Sequence, residues 1–148
     1  MALQFKVKRF SEIDTIELYK ILRLRAEVFV VEQDCVYQDV DNKDQNALHV
    51  IGTKNNEVIA YTRIFKAGDY FENASIGRVV VSESERKYGY GHVLIKESID
   101  AIQKHFNTVK IKISAQTYLK KFYEKHGFTQ VGEEYLEDGI PHIAMIRK

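Results

Sequence analysis

The chain is poor in the residues that mark specialised scaffolds. Its 148 residues include no tryptophan, one proline and one cysteine. A lone cysteine, Cys35, excludes an internal disulfide and with it the disulfide-stapled secreted domains. Charge of one sign is missing too: 22 basic against 21 acidic side chains leave a formal net charge of +1. No broad attraction to nucleic acid or to an anionic membrane follows from that balance. No apolar run approaches the roughly 20 residues that cross a bilayer as a helix. The first ten residues alternate charged with apolar types and contain no signal-peptide core. Five scattered histidines and one cysteine make no recognisable metal-ligand spacing. No repeat, linker or low-complexity stretch interrupts the chain. The expectation is a cytoplasmic protein of one domain, residues 1–148, with no metal.

What is present is a strongly patterned chain, 45% hydrophobic and long enough for one core. Residues 3–8 alternate apolar with polar types, as a strand does. Ser11 followed by Asp14 reads as a helix N-cap. Residues 16–33 then carry helical spacing, with Ile21, Leu24 and Val28 on one face. Residues 34–46 are polar and read as a surface loop. Residues 48–53 and 58–65 read as strands joined at Asn55-Asn56, since asparagine tolerates positive φ. A strand over 76–81, a helix over 91–106 and a strand over 109–113 form a parallel crossover unit. A short helix over 116–125 stops at His126-Gly127. Residues 128–135 and 140–146 form a last hairpin around Asp138-Gly139. The fold class is α+β, with a mixed, mostly antiparallel sheet.

The most informative stretch is Arg86-Lys87-Tyr88-Gly89-Tyr90-Gly91. It lies between the β-branched run Ile76-Gly77-Arg78-Val79-Val80-Val81 and a helix that starts near His92. The first N–H groups of a helix have no internal partner and lie at the positive end of its dipole. A strand, a glycine-bearing loop and a helix start in that order make an anion site. Gly89 and Gly91 let a phosphate approach the backbone closely, and Arg86 and Lys87 add positive charge. The Gly-Lys-Ser/Thr ending of a Walker loop is absent.

Arg86-x-x-Gly89-x-Gly91 resembles the diphosphate cradle of the GNAT (GCN5-related) N-acetyltransferases. Farther on, Gln116 and the run Phe122-Tyr123-Glu124-Lys125-His126-Gly127-Phe128 are similar to that family's second motif. The segment Arg25-Ala26-Glu27-Val28-Phe29, Asp41 and Asp44, and Glu137-Asp138-Gly139-Ile140-Pro141-His142 resemble its ElaA-like subgroup. The N-terminal half is also distantly similar to acyl-homoserine-lactone synthases, through Arg25, Phe29, Asp41, Asp44 and Arg63. The resemblance implies the acyl-CoA N-acyltransferase fold, with splayed central parallel strands and about four helices. It implies acetyl-CoA or CoA as cofactor and a small-molecule or peptide amine as acceptor. Val79, Val80 and Val81 would hold the pantetheine arm. Arg86, Lys87, Tyr88, Gly89, Tyr90, Gly91 and His92 would hold the diphosphate, with Gln116 on the pantetheine and Tyr123 near the cofactor sulfur.

Tyr123 is the expected general acid. An ordinary phenol titrates near ~10 and carries its proton at neutral pH, ready for a departing thiolate. Glu32 is the expected base, direct or through water, with His49 and His142 as alternatives. Arg25, Phe29, Glu32, Arg63 and Arg78 are expected to bind the acceptor. Arg25, Glu32, Asp41, Asp44 and Arg63 could instead be an ion-pair network pinning the loop. Two other functions stay open: an acyl-homoserine-lactone-type synthase and a CoA-binding module without turnover. The acceptor's identity and the oligomeric state, a homodimer included, are also open.

Overall fold

The computed structural model describes residues 2–148. Strands β1 (Gln4–Arg9), β2 (Leu48–Lys54), β3 (Glu57–Phe65), β4 (Ala74–Val81), β5 (Ile111–Gln116), β6 (Phe128–Glu137) and β7 (Ile140–Arg147) form one sheet in the order β1-β2-β3-β4-β5-β7-β6. All neighbours are antiparallel except β4 and β5. Helix α1 (Thr15–Arg25) covers one face, and α2 (Tyr90–Phe106) packs on the other beside the short α3 (Lys120–Glu124). Ile95, Ile99 and Ile102 of α2 bury against Val50, Ile64, Ile76 and Ile113 of the sheet. Ile21, Leu24 and Val28 bury against Ile51, Tyr61 and Val80 on the opposite face. Both apolar stripes read from the sequence therefore point inward.

The parallel pair decides the shape of the molecule. β4 and β5 are in register only at Ala74 with Ile111 and Ser75 with Lys112. Beyond Ser75 the strands part, so the edge of β4 that faces β5 has no strand partner from Ile76 onward. The splay implied by the family resemblance is present.

Several local expectations change. The first helix is capped by Asp14, whose carboxylate accepts from the Glu17 amide at 2.8 Å, while Ser11 lies in an earlier 3₁₀ turn. That helix is not one regular α-helix through residue 33: it widens into a π-helix over Ala26–Glu32. Three valines in four positions crowd a regular helix, because β-branched side chains have little χ1 freedom there. π-turns are rare and gather at functional sites. Strand β5 begins at Ile111 and not at 109. Asn107 ends α2 at φ +55°, and the Thr108 hydroxyl accepts from the Lys110 amide, which makes a turn of the residues between. Both two-residue hairpin turns are as expected: Asn55 and Asn56 take φ of +54° and +63°, and Asp138 and Gly139 take +50° and +78°.

Candidate active site

The gap between β4 and β5 opens into a cavity of about 910 Å³. Its walls are the unpartnered part of β4, the far end of β5, the π-helix, α3, and the start of α2. Ser75 lines it with a buried hydroxyl that finds no hydrogen-bond partner among the described residues.

A bulge shapes β4. Tyr61 pairs with Val80 and Arg63 with Gly77, so Arg78 and Val79 together oppose Thr62. Arg78 sits at φ +51°, a left-handed conformation that costs a residue with a Cβ about 1–2 kcal/mol. Bulges re-aim side chains beside active sites. Here the bulge turns Arg78 to Asp39 at 2.8 Å and to the Asp39 carbonyl at 3.0 Å. Val79 and Val81 pack toward the α2 side, whereas Val80 points to the α1 side.

The cradle follows. A 3₁₀ segment, Glu83–Tyr88, leads to Gly89 at φ +73°, and α2 begins at Tyr90. α2 has no side-chain cap and no acidic residue in its first turn, unlike α1 with its Asp14 cap. The Gly89 amide donates to the Arg86 carbonyl at 3.4 Å and the His92 amide to the Gly89 carbonyl at 3.2 Å, which leaves the amides of Tyr90 and Gly91 at the helix start. A Cβ at Gly89 would meet nothing within 4 Å, so open space lies over the loop. A Cβ at Gly91 would make an ordinary contact with the Phe122 ring at 3.4 Å. Lys54 ties the loop to β2 by bonds to Glu85 at 3.2 Å and the Tyr90 hydroxyl at 3.3 Å, with its ammonium over the Tyr88 ring. Lys87 and Tyr88 are exposed. His92 lies tilted against Phe122, ring centroids 4.6 Å apart, and places Nδ1 2.9 Å from Nε2 of His126.

Arg86 and Glu32 depart from expectation. The Arg86 guanidinium grips both oxygens of Glu32, at 2.6 and 2.8 Å, and its Nε donates to the Val81 carbonyl at 3.0 Å. Those hydrogen bonds hold the Glu32 carboxyl below its ordinary pKa, against a smaller opposing effect of burial. A carboxylate so held is a poor proton acceptor. Glu32 is better described as the clasp that ties the π-helix to the cradle, and it stands apart from the Arg25 cluster.

Tyr123 lies on α3, 5% exposed, edge-on to Phe122 and Phe128. Its hydroxyl has no hydrogen-bond partner among the described residues, and the residue lines the cavity. Burial, then the neighbouring Tyr118, push its pKa far up, so it keeps its proton. Gln116 closes β5 and donates to Gln33 at 3.3 Å across the cavity mouth.

The acidic loop over 34–46 is not a loose surface loop. Asp39 and Asp44 are buried beneath it. Arg25 meets Asp39 at 3.0 Å and Asp44 at 2.9 Å. Arg63 meets Asp44 at 2.9 Å and grips Asp41 at 2.8 and 2.6 Å. Burial raises the Asp41 pKa, but the hydrogen bonds and charge of Arg63 outweigh it and hold the carboxyl well below the usual range. Arg25 is fully buried and does not line the cavity, so it is a strut and not an acceptor ligand. Arg63, Arg78 and Phe29 do line it. His49 is also removed as a base: it is 1% exposed, with its nitrogens 2.6 Å from the Tyr61 hydroxyl and 2.9 Å from the Asp44 carbonyl. Asp39 was not among the residues singled out from the sequence. The third aspartate in the Asp39-to-Asp44 run was the available signal for it.

Asp44 shares one oxygen between two buried guanidiniums. Replacing it with alanine is expected to cost about 3–5 kcal/mol of unfolding free energy, because breaking a buried pair leaves its partners uncompensated. Urea denaturation measures this; a loss under about 1 kcal/mol would mean that the network does not pin the loop.

Comparison with known proteins gives a consistent picture. A family model described as an acetyltransferase (GNAT) domain matches residues 15–148. The chain is 44% identical over 140 residues to protein ElaA of Escherichia coli, covering 93% of this chain and 92% of that one. The crystal structure of E. coli ElaA superposes with a TM-score of 0.93, over 99% of this chain and 100% of that one. An acyl-CoA N-acyltransferase from Pseudomonas aeruginosa superposes with a TM-score of 0.94 at 38% identity, over 99% and 100% of the two chains. A CoA-dependent acyl-homoserine lactone synthase shares the fold, with a TM-score of 0.79 at 14% identity over 98% of this chain and 82% of that one.

Proposed function

Since the chain belongs to the GNAT acetyltransferase family and is an acyltransferase, we propose that it moves an acetyl group from acetyl-CoA to an amine by direct transfer in a ternary complex. The observation that carries this reading is the open edge of β4, which leads to a left-handed Gly89 and an uncapped helix start. The residues present fit a CoA group: free strand edge, free helix amides and open space over Gly89. When bound, an acyl-CoA supplies an already activated thioester.

The chain's own residues do the rest. The amides of Tyr90 and Gly91 hold the diphosphate, with the dipole of α2 and Lys87 supplying positive charge. Residues 79–81 bind the pantetheine arm as a neighbouring strand would, and Gln116 offers its amide from β5. An amide of the β4 bulge near Val79 polarises the thioester carbonyl. Tyr123 offers its phenolic proton to the departing sulfur. Phe29, Arg63 and Arg78 shape the acceptor end. Orientation is the main contribution, since holding two reactants together removes most of the entropic barrier.

The test is a panel of small primary amines, polyamines, aminoglycosides and peptide N-termini, scored by release of CoA thiol from acetyl-CoA. Release above the amine-free rate with at least one class is the expected result. Tight acetyl-CoA binding with no release across the panel would replace the enzyme with a CoA-binding module. Transfer from acyl carrier protein to S-adenosylmethionine would instead support the lactone-synthase reading.

A further inference from the structure

One group of side chains is not used by the cradle or by Tyr123. The β6–β7 hairpin turn brings Glu137 back beside His142. Nδ1 of His142 lies 2.8 Å from the Ile140 carbonyl, which can only accept, so Nδ1 carries a proton. In the neutral ring Nε2 is then an acceptor. Nε2 stands 3.4 Å from Oε2 of Glu137, longer than the roughly 2.7–2.9 Å of a direct charged hydrogen bond. The other oxygen of Glu137 is already oriented: it accepts from the Ser114 hydroxyl at 2.9 Å, and Ser114 is bonded in turn to the Tyr135 hydroxyl. Every donor in the chain is therefore committed, and two acceptors remain side by side. His142 is 6% exposed, while the Glu137 side chain is 48% exposed. Both line the cavity that also holds Tyr123.

We infer that Glu137 and His142 form the subsite for a primary ammonium group, and that His142 takes its proton. This rests on the acetyltransferase reading above and names the acceptor class and the base. An R–NH₃⁺ group gives one N–H to Nε2 of His142 and one to Oε2 of Glu137. Its first proton passes to Nε2, and the imidazolium so formed is stabilised by Glu137. The freed lone pair attacks the thioester carbon, so a C–N bond forms as the C–S bond breaks. Tyr123 protonates the sulfur, and the surplus nitrogen proton restores the Tyr123 hydroxyl. The products are the N-substituted acetamide, the CoA thiol and one proton passed from His142 to water. A tertiary or quaternary amine cannot span both acceptors and still lose a proton to His142.

The test follows the imidazole nitrogens by NMR in ¹⁵N-histidine-labelled protein at pH 8, titrated with n-propylammonium chloride and separately with tetramethylammonium chloride. His142 is expected to show the Nδ1–H form, and its Nε2 resonance to move with propylammonium but not with tetramethylammonium. Glu137→Gln should weaken that response about tenfold, as expected for losing a charged hydrogen-bond partner. With the best amine of the panel, His142→Gln should slow single-turnover transfer about 10²-fold while acetyl-CoA affinity is unchanged. An Nε2–H tautomer, equal shifts with both cations, or an undiminished response in Glu137→Gln would overturn the inference. Because the titration needs no turnover, the two readings fail separately. Amines acetylated while His142 stays silent would sink only this subsite. A responsive His142 with no amine acetylated would support the subsite and remove the enzyme reading.

Discussion

Gly89→Val is expected to lose acetyl-CoA binding by at least about 10²-fold in calorimetry, while the protein stays folded. Gly89 stands at φ +73° where the loop enters α2, and no atom lies within 4 Å of a Cβ built there. The free protein therefore has room for the side chain and bears mainly the backbone cost, about 1–2 kcal/mol for an L-residue in the left-handed region. A bound diphosphate would claim the same space. Losing even two charge-assisted hydrogen bonds, at roughly 1.5 kcal/mol each, accounts for about 10²-fold. Gly132→Val is the matching control: Gly132 also has positive φ, +77°, and empty space around it, but it is outside the cavity. It should bear the same backbone cost and bind normally. Equal binding by Gly89→Val and the parent would mean that the cradle lies elsewhere.

Tyr123→Phe is expected to slow acyl transfer by about 10²-fold with little change in acetyl-CoA affinity, the range usual for losing an acid–base group. The ring packing against Phe122 and Phe128 survives the change. The hydroxyl has no protein partner among the described residues, so removing it costs no hydrogen bond within the fold. A purely structural Tyr123 would give a variant as stable as the parent and as fast. The raised pKa adds a constraint. A phenol that holds its proton so firmly gives it up only as the surplus proton from the acceptor nitrogen arrives. The loss should accordingly shrink with an acyl donor whose thiol is more acidic, since that thiolate needs less help. Turnover within about a factor of two of the parent, with chemistry rate-limiting, would exclude the acid role.

Much of this arrangement was legible in the chain because it depends on local chemistry. Two asparagines at positive φ announce the β2–β3 turn, and Ile95, Ile99 and Ile102 announce the buried face of α2. Gly89 announces the left-handed turn between β4 and α2. What stayed hidden depends on distant partners. Arg86, beside the loop, is held by Glu32 from 54 positions away, a partner that the local motif does not show. Arg25 looked like a substrate ligand because sequence does not say which guanidinium ends up fully buried. At the β4 bulge the positive φ falls on Arg78 and not on the adjacent Gly77, where pairing with β3 and contact with Asp39 hold it. The π-helix over Ala26–Glu32 hides because a few residues of widened helix keep nearly the same apolar stripe. The parting of β4 and β5 follows from the family resemblance and not from either strand's pattern, which reads the same whether paired or open.

The most direct measurement is a crystal structure of the protein with acetyl-CoA. The expected density runs along β4 over residues 77–81, between β4 and β5, with the diphosphate on the amides of Tyr90 and Gly91 and the sulfur near the Tyr123 hydroxyl. Acetyl-CoA bound on another face, with the edge of β4 left open, would contradict the assignment of this cleft.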